Sequence, residues 1–351
     1  MKRTPAPALI ALLFFLLCGP EPAHACSRVV YLGPEDMVVT ARSMDWKEDI
    51  RSNIWVYPRG MRRESDSGPG SVSWVSKYGS VTVSGYEVST TDGMNEAGLV
   101  ANLLWLAESS YPETDDDRPT LAISLWAQYA LDNFASVAEA VAAMAPEPFV
   151  VVSAETPGGT GVGLATVHLS LSDASGDSAI FEYLDGRLVV HHGREHQVMT
   201  NSPVYDKQLA LYEYWQEIGG TTMLPGTNRA ADRFARASFY VNAIPRSSDP
   251  HTAVAAMFSV IRNVSVPLGI STPDQPNISS TRWRTVSDHK NRVYYFESSL
   301  SPNTFWLALE DIDFTAGAPV RQLRVIDQEV YAGNAVDRLV TAEPFVFMGL
   351  D

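Results

Sequence analysis

From residue 28 onward, short apolar runs alternate with turn-forming clusters. The runs at 28–32, 37–43, 53–57, 80–85 and 98–105 are rich in Val, Tyr and Trp and are separated by Gly, Pro, Asp or Ser, which predicts strands. RRESDSGP at 62–69 is charged and turn-forming, and reads as a mobile loop between strands. Between 121 and 144 (LAISLWAQYALDNFASVAEAVAAM) apolar groups recur at helical spacing with few breakers, which predicts two consecutive helices. Strands return at 149–153, 166–171, 179–183 and 188–191, with a hairpin at Asp185-Gly186 between the last two. Helices are expected at 205–217, 230–242 and 252–262, then strands at 282–286, 292–297, 304–309 and 321–327. Strands in runs, helices in runs and strands again are not the βαβ alternation of a doubly wound sheet. The order predicts an α+β protein with antiparallel sheets and helices outside them.

The first 25 residues break this pattern. Lys2 and Arg3 precede an unbroken apolar run at 8–17, and Ala23-His24-Ala25 fits the small-x-small rule for signal cleavage. The run is too short to cross a bilayer, which takes about 20 residues. The expectation is a cleaved signal peptide over 1–25, a single domain over 26–351 and a periplasmic location with no membrane anchor. With 26 Lys+Arg against 41 Asp+Glu, the net charge of −15 argues against nucleic acid and anionic membranes as partners.

The chain has two cysteines, Cys18 and Cys26, and Cys18 lies upstream of the expected cut. One unpaired thiol in an oxidising compartment is a liability, so its retention asks for a reason. Cleavage after Ala25 would make Cys26 the first residue, with a thiol and an α-amine together. That amine has an ordinary pKa near 7.7–8.0 and can serve as base to its own thiol, so no histidine is required. Two alternatives stand beside this one. Cys26 is a lipidated anchor of a ligand-binding lipoprotein, although Ala23 stands where a lipobox favours Leu, or it is an incidental small residue. ARSMDW follows one strand–turn–strand later and brings Arg42 and Asp45 back towards residue 26. Arg42 would favour thiolate and Asp45 would hold the α-ammonium, the alternative being an ordinary surface pair at a strand end.

Other signatures are weak. GGTGVG at 158–163 lacks phosphate-loop spacing and reads as a plain loop, and HHGREH at 191–196 reads as solvated imidazoles, not a metal site.

CSRVVYLG, ARSMDW, GMNEAGL (93–99), VMTNSP (198–203) and LPGTNRAADRFAR (224–236) together resemble the motifs of the choloylglycine hydrolase family. That family comprises N-terminal-nucleophile amidases, including penicillin V acylases and conjugated bile-salt hydrolases. The resemblance implies a four-layer αββα sandwich and hydrolysis of a small acyl amide without metal or other cofactor. It implies Cys26 as nucleophile, Arg42 and Asp45 beside it, Asn201 and a backbone N–H near Trp105 as oxyanion donors, and Arg233 completing the polar network. Trp46 and Trp105 are expected to wall the acyl group, with core packing the alternative for each. Trp105 stands where bile-salt hydrolases tend to carry Asn and the Gram-positive penicillin acylases Tyr. The stretch from Asn201 to Arg233 is too short for the assembly hairpin of the Gram-positive enzymes. Both departures point to the Gram-negative branch, with penicillin V and N-acyl-homoserine lactones as expected substrates and conjugated bile salts as the alternative. Whether the protein forms a homo-oligomer stays open.

Overall fold

The computed structural model describes residues 26–349 apart from 69, 113–116, 158–162, 220–222 and 274–277. The leader read at 1–25 and most of the glycine-rich stretch at 158–163 lie outside the described residues.

In chain order the strands are β1 (Ser27–Leu32), β2 (Val38–Trp46), β3 (Ile54–Tyr57), β4 (Arg62–Glu64), β5 (Ser73–Val75), β6 (Ser80–Gly85), β7 (Ser89–Asn95), β8 (Val100–Trp105) and β9 (Thr120–Ala122). A 3-10 turn at Ile123–Leu125 leads into helices α1 (Trp126–Asn133) and α2 (Val137–Met144). Then come β10 (Val150–Val152), β11 (Val167–Ser172), β12 (Ser178–Leu184), β13 (Arg187–His192) and β14 (Val198–Thr200). Helices α3 (Tyr205–Ile218), α4 (Ala230–Ala243) and α5 (Pro250–Asn263) follow. The chain closes with β15 (Ser280–Asp288), β16 (Val293–Ser298), β17 (Thr304–Ala308), β18 (Arg321–Leu323), β19 (Gly333–Asn334) and β20 (Val340–Thr341).

Two large sheets form. One has seven strands in the order β14-β1-β2-β15-β16-β17-β19, the other nine in the order β13-β12-β11-β8-β7-β6-β3-β18-β20. Helices α4 and α5 cover the outer face of the first, and α1 and α2 the outer face of the second. This is the αββα sandwich expected. Strand β2 is buried at every position because its neighbours cover both faces. Its odd residues, such as Val39 and Ala41, alternate with even ones that meet the other sheet: the Arg42 guanidinium donates to the Leu103 carbonyl of β8 at 2.8 Å.

The differences from the sequence reading are local. β7 (STTDGMN) was not anticipated because its Ser and Thr look like turn residues. In the fold Thr90 donates to Gln128 of α1 at 2.8 Å and Asp92 accepts from Asn102 at 2.7 Å, so the polar strand is buried with its groups satisfied. The expected loop at 62–69 begins as β4, paired with β5, and Arg63 is buried over the Tyr57 ring beside Asp132. The helical run at 121–144 opens as β9, paired in parallel with β10, and becomes helical only near Trp126. Asp185 and Gly186 both have positive φ, as a tight hairpin turn requires.

Candidate active site

Strand β1 lies between β14 and β2, with Ser27 opposite Thr200 on one side and Ser43 on the other. The residues just beyond those pairs therefore flank Cys26: Asn201 on one side, Met44 and Asp45 on the other. Sequence separations of 175 and 19 residues vanish because backbone hydrogen bonding fixes register, and side-chain alternation then decides which face each group meets.

The thiol is buried, and the Asp45 backbone N–H donates to Cys26 Sγ at 3.5 Å. The Met44 sulfur lies 3.8 Å from Sγ and 3.7 Å from the Arg42 guanidinium, so the thioether stands between thiol and cation. Burial pushes the Cys26 thiol up, while the charge of Arg42, the Asp45 N–H and the charge of Arg233 pull it down. Arg42 and Asp45 are fully buried, so the alternative of a surface pair is overturned. They do not pair with each other. Arg42 approaches Asp92 at 3.7 Å and lies over the Trp283 ring at 4.6 Å. Asp45 accepts from the hydroxyls of Thr281 and Ser43, and burial raises its carboxyl to about 6.

On the other side, Arg233 of α4 donates through Nη1 to the Cys26 carbonyl at 2.6 Å and to Ser27 Oγ, and through Nη2 to Asn201 Oδ1 at 3.0 Å. With Oδ1 held, Asn201 turns Nδ2 to the Trp105 carbonyl at 2.6 Å. At the end of β8 the Leu106 N–H donates across to Thr166 at 2.9 Å, while Trp105 is opposite Val167. In an antiparallel pair of this type Trp105 turns its own N–H and C=O away from β11, and the C=O is the group that meets Asn201. Cys26, Asn201, Arg233 and the Trp105 backbone thus share one locus.

Cys26 also lines a cleft of about 750 Å³, open space at its mouth included. Its walls are apolar: Met44, Trp46, Ile50, Leu103, Trp105 and Val167 are among them. The Trp46 and Trp105 rings lie 5.5 Å apart, tilted by 56°. Trp46 is fixed further by donation from its indole N–H to the Tyr86 hydroxyl at 2.7 Å, which in turn donates to Glu48 at 2.7 Å. Both tryptophans pack in the core and face the cleft, so the two sequence alternatives merge.

Residues 26–321 match the model of a family described as linear amide C–N hydrolases, choloylglycine hydrolase family. The chain belongs to this family. It is 49% identical to a penicillin V acylase of Pectobacterium atrosepticum over 99% of both chains. The solved penicillin V acylase of Agrobacterium tumefaciens superposes with a TM-score of 0.86 at 60% identity, over 93% of this chain and all of that one. A variant of the conjugated bile acid hydrolase of Clostridium perfringens shares the fold, with a TM-score of 0.72 at 21% identity over 85% of this chain and 97% of that one.

This linear amide hydrolase carries site residues that the sequence reading did not single out. Asp92 compensates Arg42 and is held by Asn102, Thr285 and the Tyr294 hydroxyl. A lone Asp in a strand of small residues was the available signal. Gln208 of α3 donates to the carbonyls of Asn201 and, at 2.6 Å, Pro203, and accepts from Thr200 at 2.7 Å, which fixes the turn that carries Asn201. Nothing in the local sequence marks Gln208, because its partners lie on the turn before its helix.

The histidines of HHGREH are not a solvated set. His191 and His196 are half-buried against Tyr205, with ring centroids at 4.8 and 5.3 Å. Glu182 lies 3.6 Å from His191 and 3.1 Å from His168 and accepts the Tyr205 N–H. Only His192 of the three is exposed, 2.8 Å from Asp177. Among the described residues no group of three His, Cys, Asp or Glu is arranged to hold a metal ion.

Proposed function

We propose that the hydrolase is exported to the periplasm, cleaved after Ala25 and left as one domain over 26–351 with Cys26 as its N-terminal nucleophile, acting on penicillin V-like and N-acyl-homoserine lactone amides. The observation that carries this reading is the setting of Cys26 Sγ. It takes the Asp45 N–H, lies near the charges of Arg42 and Arg233, and lines an apolar cleft.

The α-amine of Cys26 takes the thiol proton, and the thiolate attacks the amide carbonyl carbon. Oxyanion charge meets Asn201 Nδ2 and the Trp105 backbone N–H, and a donor of this kind is worth about 3 kcal/mol of barrier. As the tetrahedral species collapses, the C–N bond breaks and the leaving amine takes its proton from the α-ammonium. Water, with the amine again as base, hydrolyses the thioester and returns the thiol. Asp45 holds the ammonium, and a cation formed beside it would bring its raised carboxyl down. Arg233 braces the Cys26 carbonyl and Asn201 at once. Trp46 and Trp105 take the acyl group, and aromatic walls suit a phenoxyacetyl or fatty-acyl chain better than a bulky anionic conjugate. Before cleavage the residue 26 nitrogen is a peptide amide with no basicity, so the precursor is inactive.

The test is Cys26→Ser, which should be processed normally yet lose most turnover of penicillin V; full activity would end the proposal. Intact mass of the mature protein should match a chain starting at Cys26 with a free amine, whereas added lipid mass would favour the lipoprotein. Comparing kcat/KM for penicillin V, a long-chain acyl-homoserine lactone and glycocholate separates the substrate readings.

A further inference from the structure

One wall of the cleft includes Met348 of the C-terminal segment, beyond residues 26–321 that the family model matches. After β20, Ala342 donates to the Val320 carbonyl at 3.0 Å and the chain runs back across the nine-stranded sheet. Phe345 packs edge-on to Trp55 at 5.4 Å, and Phe347 lies under the Arg63 guanidinium at 5.3 Å. Met348 follows and is clamped at both main-chain polar groups. Its N–H donates to the Val88 carbonyl at 3.0 Å and its carbonyl accepts from Ser124 Oγ at 2.7 Å. Gly349 sits so close to the Asp66 backbone that an added Cβ would collide with it, so the segment cannot slide by a residue. Val88, Ser124 and Met348 all line the same cleft as Cys26, and none of the three is among the groups that contact its sulfur.

We infer that Met348 is the far wall of the acyl pocket and sets the longest acyl chain that the hydrolase accepts. This rests on the reading of Cys26 as nucleophile, which fixes the end of the cleft where the carbonyl sits. An acyl chain longer than the pocket must displace a residue held from both sides. What is held is the backbone of Met348, so its thioether stays at this end of the cleft while packing against either an aromatic ring or an alkyl chain. A discrimination of about tenfold or more for each methylene beyond the limit is the ordinary scale for such a wall.

The experiment measures kcat/KM for a homologous series of linear N-acyl amides, from butanoyl to tetradecanoyl, on the mature wild type, Met348→Ala and Met348→Trp. Val346→Ala, on an exposed residue of the same segment, is the control, and thermal unfolding of each is recorded. Met348→Ala should move the preferred chain to longer acyl groups, with a gain of about tenfold for the longest relative to wild type. Met348→Trp should move it to shorter ones, and Val346→Ala should leave the profile unchanged. Profiles that superimpose in the two Met348 variants would overturn the inference alone, because the wild type would still be turning over the series. A wild type that hydrolyses none of the series, or a Cys26→Ser variant that hydrolyses it normally, would overturn the reading beneath it as well.

Discussion

Arg233 Nη2 donates to Asn201 Oδ1 at 3.0 Å, and this bond decides which end of the Asn201 amide faces Trp105. The oxygen is committed to the guanidinium, so the NH₂ group is the end presented to the locus shared with Cys26. Asn201→Ala should lower kcat on penicillin V by about 10²–10³ with a smaller change in KM. Arg233→Lys keeps the charge but cannot hold Cys26 and Asn201 together, and should lose kcat on a similar scale. Steady-state kinetics of both variants measures this, and normal kcat in either would remove the bond from the mechanism.

Arg42 and Asp92 form a second buried relationship, across the two sheets. Arg42→Met alone strands the Asp92 carboxylate and should cost about 3–5 kcal/mol in urea unfolding. Adding Asp92→Asn should recover much of that loss. The double variant should still alkylate Cys26 with a pH midpoint above that of the wild type, since the charge of Arg42 pulls the thiol down. An unchanged midpoint would show that the thiol does not sense Arg42.

Gln208 tests whether the turn is held from behind. Gln208→Leu leaves the Asn201 and Pro203 carbonyls without its amide, at about 1–3 kcal/mol of stability. It should also lower kcat while Cys26 alkylation stays at the wild-type rate. Equal loss in both measurements would mark a general disruption instead.

His289 gives the fold an acid limit. Buried and neutral, it lies 2.8 Å from the Gly98 carbonyl and 2.7 Å from Thr40 Oγ1, and burial lowers it to about 4. Its folded value lies below the unfolded value near 6.5, so the unfolded chain takes up the proton first. The contribution is therefore complete above pH 6.5 and is lost as pH falls through 4, amounting to about 3 kcal/mol. Urea unfolding from pH 7 to 4 should show this slope in the wild type and a shallower one in His289→Gln.

Cys26 could be singled out as a candidate from covalent sequence alone: one thiol beside a candidate cleavage site needs no fold to be noticed. Much of the layered architecture was legible too, since apolar runs at strand and helix spacing are local. Pairing was not. β7 and β14 escaped notice because short or polar strands become strands only when neighbours cover them. The surface-pair alternative for Arg42 is excluded only when β2 is enclosed, and Asp92 acquires its role only from the sheet opposite. Gln208, Thr281 and Met348 have no local signature at all. Each acts through a partner distant in sequence or a cavity wall, and register and packing decide those relationships only when the chain has closed.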